Sequence, residues 1–221
     1  TASVKAGKWE KKRFQGREIA GKTLGVVGIG NIGSVLVDRA RAMGMKVIAY
    51  DPFISPEAAA KLGATLVDLE TLWRDADAVS LHVPLTAQTK NLVDAATLAK
   101  MRKGAILVNC ARGGIVDERA VAEALASGRL GGAALDVFEK EPPAADHPLF
   151  QQEGFVCTPH IGASTEEAQS AVAIALAEQL VAYLRDGVVQ NAVNAPGLPK
   201  EILDRLAPYL PLAEKLGAQV H

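Results

Sequence analysis

The side chains best suited to chemistry in this 221-residue chain are Arg112, Glu141 and His160, each of which follows a short apolar run. A histidine with a carboxylate partner can take up or release a proton near neutral pH. An arginine can bind a carboxylate, or the negative charge that develops on an alcohol oxygen during oxidation. The three residue types together predict removal of a proton and a hydride from an alcohol that carries a carboxylate.

Each candidate also has a purely structural interpretation. A single histidine after a strand is more often a packing residue, and Glu141 could be a surface acid before two prolines. His82 lies between apolar residues and is predicted to serve in packing or in positioning the backbone. His147 and His221 have no evident chemical partners around them in the sequence.

The elements that must position these residues alternate along the chain between strands and helices. Strands are predicted at 23–27, 46–50, 64–67, 78–83, 105–110, 133–137 and 155–158, and helices at 34–43, 56–62, 68–74, 94–101, 118–127 and 165–185. Apolar strands alternating with helices predict an α/β fold with a doubly wound parallel sheet. Ligands bind beyond the carboxyl ends of such strands, so Arg112, Glu141 and His160 are expected to meet at one rim.

A glycine-rich turn joins the first predicted strand to the first predicted helix. Gly28, Gly30 and Gly33 form the pattern G-x-G-x-x-G, and Asp51 ends the second strand. These glycines suit a tight turn, close approach of a pyrophosphate and close packing of the helix, and an acid at Asp51 can bind the ribose hydroxyls. The unit predicts an NAD site, with NADP disfavoured because Asp51 would repel its extra phosphate. A glycine turn without a ligand is the alternative.

Composition argues against several other classes of protein. The net charge is -1, which does not suit a general nucleic-acid binder, and no apolar run is long enough to span a membrane. The basic run at 8–13 is more typical of a solvated surface than of a phosphate contact. Cys110 and Cys157 are too few for a disulfide framework and are predicted to be small buried residues in a reducing cytoplasm. No metal site is predicted.

Four motifs, at 82–86, 109–118, 134–142 and 158–164, resemble those of the D-isomer-specific 2-hydroxyacid dehydrogenases. Residues 8–10, 162–169 and 191–194 are most similar to the family members that act on 3-phosphoglycerate. By position, the resemblance implies that Arg112 is the substrate-binding and catalytic arginine, that Glu141 orients the histidine, and that His160 is the acid/base.

The resemblance also implies a cofactor, a substrate and an assembly. The cofactor is NAD, and the predicted cofactor-binding residues are Gly28, Gly30, Asn31, Ile32, Gly33, Asp51, Val83, Cys110, Ala111, Arg112, Asp136, His160, Gly162 and Ala163. The small-molecule substrate is 3-phosphoglycerate or a related 2-hydroxy acid, the product 3-phosphohydroxypyruvate feeds serine synthesis, and the full-length protein is a cytoplasmic homo-oligomer. Glyoxylate, hydroxypyruvate or D-lactate as substrate, or an NAD(H)-sensing corepressor, are the alternatives.

The resemblance further implies that the chain is a fragment centred on the cofactor domain. Residues 1–20 are interpreted as an inter-domain segment, 21–190 as the NAD-binding domain with a return helix, and 191–221 as a connector and the start of a substrate or regulatory region. Such a fragment is expected to bind NAD but to turn over substrate poorly or not at all. Lys11, Lys12 and Arg13 are weak candidates for contacting the substrate phosphate.

Overall fold

The computed structural model describes residues 2–193, 202 and 205–218, and the chain divides into two compact units, Thr1–Gly162 and Ala163–His221. The first unit holds a seven-stranded parallel sheet in the order β3-β2-β1-β4-β5-β6-β7. The strands are β1 Thr23–Val27, β2 Lys46–Tyr50, β3 Thr65–Leu66, β4 Ala78–Leu81, β5 Ala105–Asn109, β6 Leu130–Leu135 and β7 Phe155–Cys157. The predicted doubly wound parallel sheet is confirmed.

The helices of the first unit lie between the strands in sequence. They are α1 Ala2–Lys5, α2 Asn31–Ala42, α3 Pro56–Leu62, α4 Leu69–Asp75, α5 Ala95–Lys100 and α6 Glu118–Ala126, with 3-10 turns at Lys11–Phe14 and Pro148–Gln151. Buried apolar side chains form two clusters, one around Leu81 and Leu107 and the other around Val26 and Val37. Two apolar clusters are what a parallel sheet covered on both faces requires.

The strand order reverses between β1 and β4, which lie side by side although two strands separate them in sequence. A crevice opens at such a switch point beyond the carboxyl ends of the strands. The ends of β1, β2 and β4 surround this crevice, and the ends of β5, β6 and β7 continue the same edge. The edge therefore carries the loops of Arg112, Glu141 and His160.

Strand β6 begins at Leu130, three residues before its predicted start. Gly131 and Gly132 conceal this part of the strand, because glycine is a poor strand former. Gly131 is needed there, because a Cβ would lie 2.4 Å from the Gly104 carbonyl oxygen, whereas one on Gly132 would make a tight contact of 3.3 Å with that of Gly154. Helix α2 likewise begins at Asn31, before its predicted start, because Gly33 lies inside the helix rather than ahead of it.

The second unit contains α7 Glu166–Asp186, a 3-10 turn at Ala207–Tyr209 and α8 Leu210–Gly217. The Thr165 hydroxyl accepts a hydrogen bond from the Ala168 amide at 3.1 Å, and Gly187 ends the helix with φ 65. Of the predicted connector and tail, residues 194–201, 203–204 and 219–221 lie outside the described residues. In the described part of the chain, no helix combines the length and hydropathy needed to cross a membrane.

Candidate active site

The glycine turn fits a dinucleotide because two of its glycines are required by the protein and the third faces open space. A Cβ on Gly28, where φ is 89, would lie 2.7 Å from the His82 carbonyl oxygen, and one on Gly33 would lie 2.1 Å from that of Gly28. A Cβ on Gly30 would meet nothing within 4 Å. Gly30 precedes the first residue of α2, so this space lies at the helix N-terminus, where a phosphate is favoured.

Asp51 is held at the end of β2 by the turn that it faces. One carboxylate oxygen accepts the Ile29 amide at 3.0 Å, and the other accepts the Phe53 amide at 2.9 Å. Asp51, Phe53, Gly30 and Val83 line a cleft of about 670 Å³ at the carboxyl edge of the sheet. A carboxylate fixed beside the glycine turn, at the side of a cleft this large, fits the ribose hydroxyls of NAD.

His160 and Glu141 are in direct contact. The His160 Nδ1 atom lies 2.8 Å from Glu141 Oε2, and Glu141 Oε1 accepts the Phe138 amide at 3.0 Å. The hydrogen bonds from His160 and from the Phe138 amide hold the pKa of Glu141 below its ordinary value. Because this contact uses Nδ1, the Nε2 atom of His160 is left to meet a reacting group.

Asp136 shapes the turn that carries His160. Its carboxylate accepts the amides of Ile161 at 2.9 Å and Gly162 at 3.0 Å and the hydroxyl of Thr158, while its carbonyl accepts the His160 amide. Burial alone raises the pKa of Asp136, but these hydrogen bonds outweigh it and the pKa lies below its ordinary value. His160 has φ 54 in this turn, a backbone conformation that residues other than glycine seldom adopt.

Arg112 is fixed by its backbone. The Asn109 side chain is buried, donates to the Arg112 carbonyl at 2.9 Å and accepts the Ala111 amide at 3.0 Å. A Cβ on Gly113 would lie 1.8 Å from the Phe138 carbonyl oxygen, so the segment after Arg112 lies directly against the segment that leads to Glu141. The Arg112 guanidinium is exposed and donates to the Ala111 carbonyl at 2.6 Å.

The site residues line neighbouring cavities of the first unit. Arg112, Ala111, Cys110, Ile32 and Val83 line a cleft of about 260 Å³, and Glu141, His160 and Asp136 line another of about 370 Å³. Arg112 is therefore on the predicted rim but does not contact the His160–Glu141 pair. Asn31 begins α2, and Ala163 belongs to the second unit, where its carbonyl accepts the Gln169 side chain at 3.2 Å.

Two predictions about individual residues are wrong. Cys110 and Cys157 are exposed rather than buried, because Cys110 follows the end of β5 at the rim and Cys157 lies on the edge strand β7. His147, expected to stand alone, lies with its Nε2 atom 2.8 Å from Glu118 Oε2. The sequence does not reveal this contact because 29 residues separate the partners.

Of the two other histidines, His82 and His221, only His82 lies within the described residues. His82 is half-buried, its Nε2 atom lies 2.9 Å from the Ser80 hydroxyl, and burial lowers the pKa of the imidazole. His221 lies outside the described residues. Within the described ranges, no cluster of three or more histidine, cysteine, aspartate or glutamate side chains is arranged to hold a metal ion.

Comparison with known families identifies the first unit. The family described as D-isomer specific 2-hydroxyacid dehydrogenase, NAD binding domain, matches residues 1–162. The chain belongs to this family. This assignment confirms the predicted fold class and NAD as the cofactor.

Individual members of the dehydrogenase family place the chain more closely. It is 51% identical over 218 residues to D-3-phosphoglycerate dehydrogenase of Methanocaldococcus jannaschii, covering 98% of this chain and 41% of that protein. A glyoxylate reductase from Paecilomyes thermophila superposes with a TM-score of 0.79 at 34% identity, over 87% of this chain and 58% of the other. An NAD-dependent formate dehydrogenase from Staphylococcus aureus, solved with NAD, gives a TM-score of 0.76 at 32% identity, over 86% and 57%. The chain spans about two fifths of the length of the curated relatives it matches.

Replacing Asp51 by asparagine is expected to weaken NAD binding roughly tenfold and to reduce discrimination against NADP. An amide has one acceptor oxygen where the carboxylate now accepts two backbone amides, and an unmet amide costs about 1–3 kcal/mol. Calorimetric titration with NAD and with NADP measures both effects. Asp38→Asn, on the exposed surface of α2, is the matched control. An unchanged ratio of the two affinities in Asp51→Asn would show that Asp51 does not select the cofactor.

Proposed function

We propose that the protein is a D-3-phosphoglycerate dehydrogenase, which oxidises 3-phosphoglycerate to 3-phosphohydroxypyruvate with NAD. The observation that carries the proposal is the His160–Glu141 pair, which lies on the same edge of the sheet as Arg112 and the glycine turn. The choice of substrate is supported by the higher identity to the phosphoglycerate dehydrogenase, 51%, than to the glyoxylate reductase, 34%. The activity is that of the whole protein, of which these residues supply the cofactor domain and the acid/base pair.

His160 is proposed to act as the base for the substrate hydroxyl. As the hydroxyl proton passes to Nε2, the hydrogen on the same carbon leaves as a hydride and the carbon–oxygen single bond becomes a carbonyl. NAD, when bound, supplies the hydride acceptor. Glu141 holds Nδ1 at 2.8 Å, and because its pKa lies below the ordinary value it remains a carboxylate that stabilises the imidazolium as the proton arrives.

Arg112 is proposed to bind the substrate carboxylate. Its guanidinium is exposed, lines the cleft next to Ile32 and Val83, and can exchange its bond to the Ala111 carbonyl for a charged oxygen. A guanidinium presents parallel N–H donors that match a carboxylate in two places. The backbone around Arg112 is held by Asn109, so the side chain starts from a fixed point.

The substrate assignment is tested by presenting the full-length protein with NAD and a panel of 2-hydroxy acids. NADH is expected to form with the highest kcat/KM when the substrate is 3-phosphoglycerate, above the values for D-lactate and glycolate. In the reverse direction, hydroxypyruvate is expected to be a poorer substrate than 3-phosphohydroxypyruvate. A preference for glycolate or D-lactate would mean that the substrate is not 3-phosphoglycerate. Absence of turnover with any acid, together with assembly that depends on NADH, would replace the enzyme by a corepressor-like binding protein. We extend the proposal to a homo-oligomeric full-length protein in the cytoplasm.

Replacing Arg112 by glutamine is expected to lower kcat/KM about 10²–10³-fold, the usual effect of removing one donor to a developing charge. Arg112→Lys is expected to recover little, because an ammonium group cannot bind a carboxylate through two parallel donors. Steady-state kinetics of the full-length protein measure both. Arg119→Gln, which removes a highly exposed arginine on α6, is the control and is expected to have no effect. Equal activity of the glutamine and arginine forms at position 112 would remove Arg112 from the mechanism.

A further inference from the structure

Glu141 lies on an irregular segment, residues 136–147, between the end of β6 and the 3-10 turn at Pro148–Gln151. Holding a loop in one conformation costs backbone entropy at every residue, so a loop that must place a carboxylate needs its own restraints. One restraint is the contact of Phe138 with Gly113. Two more come from Glu118, a residue for which the proposed reaction has no use.

Glu118 binds both ends of this loop. Its Oε1 atom accepts the Glu139 amide at 2.6 Å, and its Oε2 atom lies 2.8 Å from His147 Nε2. The Glu118 and His147 side chains are only 13% and 16% exposed, unlike most charged side chains at the start of a helix. Glu118 is the first residue of α6, so its carboxylate also lies at the favourable end of the helix dipole.

His147 is oriented so that it can donate only to Glu118. Its Nδ1 atom accepts the Leu149 amide at 3.3 Å, which places the proton of the ring on Nε2. The ring makes an edge contact with Phe138, with centroids 5.6 Å apart, and a tilted contact with Phe150 at 5.4 Å. Glu118 therefore needs two acceptor oxygens, one for each end of the loop, and a glutamine could satisfy only one of them.

The restraint reaches Glu141 through adjacent peptide groups. The Phe138 amide donates to Glu141 and the next amide, that of Glu139, donates to Glu118. The two amides flank the Phe138 Cα atom, so a shift of the Glu139 amide is transmitted through a single residue to the Phe138 amide that holds Glu141 opposite His160. Because α6 follows the Arg112 segment directly, Glu118 also links this loop to the element that carries Arg112.

We infer that Glu118 and His147 are positioning residues that hold the 136–147 loop so that Glu141 faces His160. The inference rests on the proposed function only for its kinetic readout. Glu118 acts through Glu141, so removing Glu118 is expected to lower kcat only while residue 141 is a carboxylate.

The test compares Glu118→Ala, Glu141→Gln and the double variant in the full-length protein. Glu118→Ala is expected to lower kcat about tenfold or more with KM for the hydroxy acid little changed, and to shift the pH profile in the same direction as Glu141→Gln but by less. The double variant is expected to match Glu141→Gln alone, because residues that act as one unit are not additive. Glu118→Gln is expected to recover part of the rate, since it retains the acceptor for Glu139. Losses that multiply in the double variant would overturn the inference and leave Glu118 a stabilising residue only.

A second variant and a second readout keep the test decisive. His147→Asn retains an acceptor for the Leu149 amide, but its shorter side chain has no N–H donor at the position of Nε2, which lies 2.8 Å from Glu118. It is therefore expected to reproduce the kinetic effect if Glu118→Ala does not fold. Glu123→Ala, on the exposed face of the same helix, is the matched control and is expected to behave like the unchanged protein.

The second readout is the proton NMR signal of the His160 ring N–H, which is assigned by its loss in His160→Asn. This signal is expected to shift in His147→Asn and in Glu118→Ala but not in Glu123→Ala. An unmoved signal overturns the inference even if the protein oxidises no hydroxy acid, whereas a shifted signal without turnover would fail the proposed function alone.

Discussion

Replacing His160 by asparagine in the full-length protein is expected to lower kcat for hydroxy acid oxidation about 10²–10⁴-fold, the range for loss of a general base. Asparagine is the informative replacement because His160 has φ 54, and asparagine tolerates this conformation better than alanine does. The Asp136 bonds to the turn involve the backbone of Ile161 and Gly162 and should persist. The loss can therefore be attributed to the imidazole rather than to the turn.

The effect of His160→Asn is measured by steady-state kinetics, with NAD affinity and the melting temperature as controls. The melting temperature is expected to match that of the unchanged protein, and NAD affinity is expected to change far less than kcat, because His160 does not line the cleft around Asp51 and Gly30. A variant that melts normally, binds NAD normally and still turns over at the original rate would remove His160 from the reaction.

Alanine substitutions at Gly33 and Gly30 are expected to act on different properties: the first lowers the free energy of unfolding, and the second lowers the affinity for NAD. At Gly33 the new Cβ would lie 2.1 Å from the Gly28 carbonyl oxygen, a backbone atom that cannot rotate away. Alanine favours a helix over glycine by about 1 kcal/mol, but such overpacking costs about 1–3 kcal/mol and sometimes more. The net result is a lower free energy of unfolding, with α2 displaced from the turn.

At Gly30 the protein itself offers no steric conflict, since nothing lies within 4 Å of the new Cβ and φ is -70. Gly30→Ala is expected to leave the free energy of unfolding unchanged or to raise it by up to about 1 kcal/mol. NAD affinity is expected to fall at least tenfold, or about 1.4 kcal/mol, because the Cβ enters the space proposed for the pyrophosphate. Denaturant unfolding and calorimetric titration separate the two variants. Unchanged NAD affinity in Gly30→Ala would show that the cofactor does not approach the turn.

The features that the sequence predicted well are those set by local chemistry. Strands β1 and β2 and helix α3 have their predicted bounds, because apolar runs and a proline start with a glycine end mark them clearly. The placement of Arg112, Glu141 and His160 at one edge followed from the rule that parallel strands share a carboxyl edge. The sequence thus predicted which loops carry the candidate residues.

The features that it missed depend on contacts between distant segments. Gly113 packs against Phe138, and Glu118 makes one hydrogen bond to Glu139 and one to His147. Neither arrangement leaves a periodic signal in the sequence. The exposure of Cys157 likewise depends on β7 being an edge strand, which strand order decides and composition does not. These tertiary contacts hold the loop of Glu141. The position of the Glu141 carboxylate opposite His160 is therefore the feature that residue types alone could not predict.

We propose that this chain supplies the hydride-transfer centre of a 3-phosphoglycerate dehydrogenase, and following the transferred hydrogen tests this. The full-length protein is given NAD and D-3-phosphoglycerate deuterated at carbon 2, and the NADH is examined by mass spectrometry. One deuterium is expected on the NADH nicotinamide ring for each 3-phosphohydroxypyruvate formed, and both products are expected to form about 10²–10⁴-fold more slowly in the His160→Asn variant. Unlabelled NADH, or no NADH from the unchanged protein, would contradict it.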